Sequence, residues 1–109
     1  MPRPGEDARR AFLALVPVDP DVTSRPMFGQ VCAFVNGTMF MGLFGDRLFV
    51  RMGDAERARV LARGGADFTS KGYVLVPEPW QDRPDEVRGW VASALELGRA
   101  LPARTSRRD

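Results

Sequence analysis

The chain has 109 residues, which is an ordinary size for one domain with its own hydrophobic core. Its 16 basic and 14 acidic residues give a formal net charge of +2, so charge alone does not indicate a nucleic-acid-binding protein. A hydrophobic fraction of 44% and a charged fraction of 28% are typical of a globular protein and argue against a disordered chain.

The first predicted element is an amphipathic helix over residues 6–16. Pro17 and Pro20 are expected to end it, because proline cannot continue a helix. Residues 19–26 are polar and are predicted to form a connector. The apolar residues of the helix repeat at helical spacing and are Ala8, Ala11, Phe12, Leu15 and Val16.

Three runs rich in aromatic and β-branched residues follow, and they predict an antiparallel meander. Asn36-Gly37 separates the first two runs and is the strongest short hairpin signal, since both residues of a type I′ turn need positive φ. Gly45-Asp46 separates the second and third runs and fits a type II′ or I′ turn. The predicted strands are residues 28–35, 38–44 and 47–52.

These turns also predict the register of the strands. The expected pairs are Phe34 with Met39, Cys32 with Met41, Gln30 with Leu43, Leu43 with Leu48, and Met41 with Val50. The register produces one charge-free face, which is expected to form the core and to bury Cys32. That face is predicted to carry Cys32, Phe34, Met39, Met41, Leu43, Leu48, Val50 and Met52.

The opposite face of the predicted meander is also apolar, although a sheet with one solvated face should be polar there. The register places Phe49 across from Gly42, so that the ring covers a backbone without a side chain. The residues assigned to this face are Val31, Ala33, Val35, Phe40, Gly42, Phe44, Phe49, Arg47 and Arg51.

Five of those residues, Phe40, Phe44, Phe49, Arg47 and Arg51, are the candidate protein interface. Aromatic residues with arginine are enriched in interface cores, so we expect this face to bind protein, with a second copy of the chain as the partner. The alternative is that a helix covers the face, or that loops bury it, within the monomer.

A second helix is predicted to begin near Asp54 as N-cap and to end at Gly64-Gly65. Its buried stripe is expected to consist of Ala55, Ala58, Leu61 and Ala62. Short strands are predicted over residues 67–70 and 73–76, and Pro77 and Pro79 end the sheet.

Pro84 fits the first turn of a third helix, which Pro102 is expected to end. Its inward stripe is predicted to be Val87, Trp90, Val91, Ala94, Leu97 and Leu101. The order α-β-β-β-α-β-β-α predicts a two-layer α+β fold, with helices mainly on one face of a five-stranded antiparallel sheet. We expect one domain over residues 1–103 and a disordered basic tail over residues 104–109.

The residue types needed for catalysis are scarce. Histidine is absent, which removes the commonest general base and metal ligand. Asp54, Asp85 and Glu86 stand at predicted helix starts, where they favour the helix dipole. No spacing fits a zinc, calcium or phosphate-binding motif. We therefore expect a protein that is not an enzyme and has no catalytic residue, cofactor or metal.

Nucleic-acid binding is the alternative function, and it is not favoured. Two groups of arginines are candidates for phosphate contacts. Acidic residues lie beside the larger group, and both groups fit solvent-exposed helix faces better. The two groups are Arg57, Arg59 and Arg63, and Arg9 and Arg10. A single cysteine excludes an internal disulfide. No apolar run approaches the ~20 residues that span a bilayer, so we expect a cytoplasmic protein with no membrane partner.

The sequence resembles the N-terminal domain of the TfoX/Sxy family, bacterial proteins named for a regulator of natural competence. The resemblance covers residues 25–101 and implies the fold and a regulatory or adaptor role, with no catalytic or metal residues. The matching residues are Pro26-Met27-Phe28-Gly29, Val35-Asn36-Gly37, Met39-Phe40, Gly45-Asp46-Arg47-Leu48, Arg51, Gly64, Phe68, Tyr73-Val74-Leu75-Val76-Pro77, Trp90 and Leu101-Pro102.

Overall fold

The computed structural model describes residues 4–27, 29–68 and 72–101. In this part of the chain six strands form one antiparallel sheet, in the order β1-β2-β3-β4-β6-β5. The elements are α1 (Glu6–Leu15), β1 (Val22–Met27), β2 (Gln30–Val35), β3 (Thr38–Phe44), β4 (Arg47–Arg51), α2 (Asp54–Ala62), β5 (Ala66–Asp67), β6 (Tyr73–Leu75), a 3-10 turn (Trp80–Asp82) and α3 (Pro84–Ala100).

The predicted two-layer α+β class is confirmed, with six strands instead of five. The predictions for Phe28, residues 69–71, Pro102 and the tail over residues 104–109 lie outside the described residues. No helix within the described ranges is long and apolar enough to cross a membrane.

The additional strand is β1, and the prediction of a connector over residues 19–26 is wrong. β1 pairs with β2 from Val22 opposite Val35 to Met27 opposite Gln30. It lies at the edge of the sheet, and the side chains between its two ends are exposed. An exposed edge strand needs no apolar alternation and tolerates Pro26, so its composition resembles that of a loop.

Both predicted turns are present. Asn36 and Gly37 have φ of 49° and 81°, which confirms the two positive angles expected for a type I′ turn. Gly45 begins the second turn with φ of 61°. The strands joined by this second turn have the predicted register, with Leu43 opposite Leu48, Met41 opposite Val50 and Gly42 opposite Phe49.

A β-bulge changes the register between β2 and β3. Phe34 lies opposite Met39 as predicted, but the next pair joins Ala33 to Met41, so β3 carries one extra residue, Phe40. The predicted pair of Cys32 with Met41 is wrong, because Cys32 lies opposite Gly42.

The same shift moves Gln30 away from its predicted partner Leu43. The Gly45 N–H donates instead to Oε1 of Gln30 (2.9 Å). A shift of one residue exchanges the two faces of a strand, so the faces predicted for β2 are the reverse of those observed.

The residues between the sheet and the helices form the helix-side core. Phe40 is fully buried there, which corrects its assignment to the opposite face, and Cys32 and Phe34 are absent from it. The sheet supplies Val31, Ala33, Val35, Phe40, Met41, Leu43, Leu48, Val50 and Val74, and the helices supply mainly Ala8, Phe12, Val60, Val87, Val91 and Ala94.

α3 follows its predicted pattern, and α2 does not. Pro84 begins α3, and Val87, Trp90, Val91 and Ala94 are buried as predicted, but Leu101 is exposed. In α2 the buried residue is Val60, whereas the alanines predicted to face inward (Ala55, Ala58 and Ala62) are exposed. Asp54 is the first helical residue and makes no side-chain cap, because Gly53 occupies the N-cap position.

The turn between β3 and β4 is tied to the surrounding elements. Trp80 Nε1–H donates to the carbonyl oxygen of Asp46 (2.9 Å), and the Gly5 N–H donates to Oδ1 of Asp46 (2.7 Å). These bonds fix the start of α1 and the 3-10 turn against one end of the sheet.

Candidate protein interface

The face of the sheet that points away from the helices carries a second apolar cluster, and we call this surface the helix-free face. In the described part of the chain its members come from the strands and from Phe68, which follows β5. Four members are buried and five are half-buried. The buried ones are Cys32, Phe34, Phe49 and Tyr73, and the half-buried ones are Met27, Met39, Phe44, Phe68 and Leu75.

Phe49 lies at the centre of this face. Its ring covers Gly42 as predicted, since a Cβ built on Gly42 would be 2.5 Å from Cζ of Phe49. Phe68 stacks on Phe49 with ring centroids 4.7 Å apart, and Phe44 contacts Phe68 at 5.3 Å. Tyr73 meets Phe49 edge-on at 5.6 Å. These rings leave Phe49 only 4% exposed although no helix of the described chain packs on it.

Tyr73 bridges three strands across the same face. Its hydroxyl donates to the carbonyl oxygen of Met39 (2.9 Å), at the point where the bulge interrupts β3. Nη1 of Arg51 donates to the Tyr73 oxygen (3.0 Å), and the guanidinium carbon lies 5.2 Å from the ring centroid. Arg51 is therefore held in place by a neutral group.

Arg25 lies at the β1 end of the helix-free face. Its guanidinium carbon is 4.3 Å from the centroid of the Phe34 ring, which is a cation–π contact. Arg25 is opposite Cys32 in the sheet and is exposed to solvent. Its charge is thus presented beside the apolar cluster.

The face is positively charged at its edges, and within residues 4–27, 29–68 and 72–101 the strands contribute no carboxylate to it. Arg47 is the third arginine here, and its Nε lies 3.5 Å from Oε2 of Glu78, which belongs to the loop after β6. The acidic strand residue, Asp67, lies opposite Val74 of the helix-side core and so points to the other side.

The structure brings together four of the five residues predicted for the interface. Phe44, Phe49, Arg47 and Arg51 share the helix-free face, whereas Phe40 lies in the helix-side core. The bulge explains why Phe34 was assigned to the wrong face, since a bulge has no dependable sequence signal. The sequence did not indicate Arg25, because β1 was predicted to be a connector, and it did not assign the aromatic residues Phe68 and Tyr73 to this face.

The comparisons with known proteins give a family. Residues 13–97 match the TfoX N-terminal domain model, a range that extends from α1 into α3 and includes the helix-free face. The chain belongs to the TfoX N-terminal domain family. This membership supports a regulatory type of domain and confirms the resemblance found in the sequence. No curated protein matches the chain.

The lone cysteine of this TfoX N-terminal domain is poorly suited to nucleophilic chemistry. Cys32 is 5% exposed, which confirms the predicted burial, although it lies under the helix-free face and not in the helix-side core. Burial raises the pKa of its thiol, and the Arg25 charge offsets this in part. The thiolate, which is the reactive form, is therefore disfavoured at neutral pH.

The described residues also bear on metal and small-molecule binding. Over residues 4–27, 29–68 and 72–101, no three His, Cys, Asp or Glu side chains gather into a group that could hold a metal ion. A groove of about 170 Å³ lies between α1 and the start of α3, and Ala11, Leu15, Trp80 and Pro84 contribute to its walls. Typical ligand pockets have ~300 Å³ or more, so this groove is small for a cofactor.

Most arginines of the helices are already paired with carboxylates. Arg57 donates to both oxygens of Asp67 (2.7 and 2.6 Å), and Arg63 is paired with Glu86. These hydrogen bonds lower the pKa of Asp67 and of Glu86. The remaining pairs are Arg10 with Glu6 and Asp7, Arg83 with Glu86, Arg88 with Asp85, and Arg99 with Asp19 and Asp21.

Proposed function

We propose that this TfoX N-terminal domain is a non-enzymatic regulatory or adaptor module that binds protein through its helix-free face. One observation carries the proposal. A sheet face with aromatic and methionine side chains has no helix over it in the described part of the chain, and five of its apolar members are half-buried. Aromatic residues, methionine and arginine are the types enriched in protein interfaces.

The composition of the face favours a protein partner over a small molecule. Phe34, Phe49 and Tyr73 form a buried floor, while Met39 and Phe44 remain partly accessible above it. Methionine adapts its shape to a partner at small cost, because its side chain is unbranched and polarizable. A broad apolar floor with an adaptable rim is typical of a docking surface.

The non-enzymatic part of the proposal is supported by the state of Cys32. Its burial and raised pKa oppose formation of a nucleophilic thiolate. The nucleic-acid alternative has less support, because Arg57 and Arg63 already bind Asp67 and Glu86. Those two guanidinium groups would have to give up carboxylates before they could bind phosphates.

The proposal is tested by affinity capture from the cells that express the protein, with three forms of the full chain. Phe44→Glu puts a charge on the half-buried rim of the face, and Ser93→Glu puts the same charge on the exposed surface of α3. We expect the wild type and Ser93→Glu to capture the same partner proteins. Phe44→Glu should capture at least about tenfold less of them, which corresponds to a loss of ~1.4 kcal/mol in binding free energy.

Circular dichroism of both variants establishes that each is folded before capture. If the folded Phe44→Glu protein retains the same proteins as Ser93→Glu, the helix-free face is not the docking surface and the proposal fails.

A further inference from the structure

We infer that the occupant of the helix-free face is an acidic segment of a different protein, with apolar side chains at its centre, and not a second copy of this chain. The inference rests on the proposed function and specifies the partner. It follows from how charge is distributed around the apolar cluster.

The positive charge of this face is not neutralised by strand carboxylates. Arg25 and Arg51 stand at two ends of the cluster, and each is held by an aromatic ring and forms no ion pair within the described residues. Most of the other arginines in the described part of the chain pair with acids, as Arg57 and Arg99 do with Asp67 and Asp21. The unpaired charges of Arg25 and Arg51 therefore lie where carboxylates of a bound partner would pair with them.

The two guanidinium groups are also oriented in advance. Arg25 rests on the Phe34 ring with its guanidinium carbon 4.3 Å from the centroid, and Arg51 donates to the Tyr73 hydroxyl. An arginine held in this way loses less side-chain freedom when it binds a carboxylate, and its planar group can make two parallel hydrogen bonds. Carboxylates that flank an apolar segment would therefore find ready partners.

A second copy fits this face poorly. In a two-fold symmetric dimer the same patch meets itself, so the arginines of one copy would face an apolar surface edged by arginines. The strands of the described chain supply no carboxylate there, since Asp67 points to the helix side. Like charges brought together at an interface cost several kcal/mol, which opposes the homodimer expected from the sequence.

A nucleic acid also fits poorly. Proteins that bind single-stranded nucleic acids do so largely by stacking the bases on exposed aromatic rings. The central ring here, Phe49, is already stacked by Phe68 on one side and lies over Gly42 on the other. Phe34 is covered by the Arg25 guanidinium. The surface therefore offers apolar contacts and cations, but little free ring face.

The experiment begins with a displayed library of random peptides, selected on the immobilised full chain. We expect enrichment of peptides in which Asp or Glu flank aromatic or aliphatic residues. The probe for measurement is the most enriched peptide, labelled for fluorescence anisotropy, with a matched peptide in which Lys replaces every acidic residue. We expect the acidic peptide to bind at least about tenfold more tightly, and its affinity to fall as salt is added.

Two variants with equal loss of charge locate the binding site. Arg25→Gln/Arg51→Gln removes the cations of the helix-free face, and Arg9→Gln/Arg59→Gln removes two helix cations that form no ion pair in the described part of the chain. We expect the first variant to weaken binding by about tenfold and the second to leave it unchanged. Arg25→Gln alone is a second variant of the helix-free face, for the case that the double variant does not fold. Arg25 is exposed, so its loss should not impair folding.

Each other outcome overturns the inference. Selected peptides that are neutral or basic, equal binding by the acidic and lysine peptides, or equal loss in the two variants would show that carboxylates are not recognised here. A dimer in light scattering that Phe44→Glu converts to monomer would place a second copy on the face. That last result would leave the proposed function standing, whereas capture unaffected by Phe44→Glu would remove both.

Discussion

The Phe49 ring lies against the backbone of Gly42, so closely that a Cβ on Gly42 would be 2.5 Å from Cζ of Phe49. Phe68 closes the other side of the same ring at a centroid distance of 4.7 Å. Phe49 is therefore confined between a glycine and an aromatic ring, and this packing buries it although no helix of the described chain covers the helix-free face.

The first prediction concerns this close packing. We expect Gly42→Ala to destabilise the protein by about 1–3 kcal/mol, because the new methyl group must displace Phe49 or bend the strand. Gly89→Ala is the control, since nothing lies within 4 Å of a Cβ at that position in α3, and it should stabilise by up to ~1 kcal/mol. Urea unfolding measures both, and equal effects would contradict the packing.

The second prediction separates the two layers of the domain. Phe40→Ala should cost about 3–5 kcal/mol, because Phe40 is fully buried in the helix-side core. Phe44→Ala should cost about 1 kcal/mol, because Phe44 is half-buried on the helix-free face. Unfolding curves for the two variants compare them directly. A larger loss in Phe44→Ala would mean that the assignment of the two faces is wrong.

The third prediction concerns the thiol of Cys32. Burial and the raised pKa should make Cys32 react far more slowly with a disulfide reagent in the folded protein than in guanidinium chloride. The rate is followed by absorbance at mildly alkaline pH. Reaction of the folded protein as fast as that of the unfolded chain would show that the thiol is accessible and would reopen its use as a nucleophile.

The fourth prediction is a loss of stability in acid. The Arg63 hydrogen bond lowers the pKa of Glu86 in the folded state, so this carboxylate stabilises the fold above its unfolded pKa of about 4.3. The contribution is lost as the pH falls through the lower, folded pKa. We expect Glu86→Gln to lower the melting temperature at pH ~7 and to differ little from wild type at a pH low enough to protonate Glu86 in the folded state.

Glu96→Gln is the control for that prediction, because Glu96 is exposed and forms no ion pair among the described residues. It should leave the melting temperature unchanged at both pH values. A Glu86→Gln deficit that persists at low pH would show that the side chain acts through packing and not through its charge.

Much of the fold follows from short-range signals in the sequence. Asn36-Gly37 and Gly45-Asp46 determine two tight turns, and the apolar spacing of α3 determines which of its sides faces the sheet. Pro84 marks the start of that helix. These features depend on neighbours in the chain, so the sequence alone was sufficient to predict them.

The remaining features depend on contacts between distant residues. The bulge places Phe40 in the helix-side core, and beside it the Met39 carbonyl accepts a hydrogen bond from the Tyr73 hydroxyl, 34 positions along the chain. The edge strand β1 is held by its pairing with β2 and has an exposed, polar sequence. The predicted stripe of α2 failed because alanines carry little information about which side is buried.

Only part of the candidate interface was predicted, because part of it depends on contacts between distant residues. The pairing of β3 with β4 was correct, so Phe44, Phe49, Arg47 and Arg51 were placed on one face. The shifted pairing of β2 moved Phe40 to the core. Arg25, the one cation of this face that was not predicted, lies on β1, which has no clear strand signal.

The most direct test of the central claim is a photo-crosslinking scan in the cells that express the protein. A photoreactive phenylalanine analogue is placed at Met39, Phe44 or Leu75 on the helix-free face, and at Ser93 or Glu96 on the exposed side of α3. We expect one discrete protein adduct from the three face positions and none from the two α3 positions. Adducts from the α3 positions alone, or an equal pattern from both sets, would contradict the account.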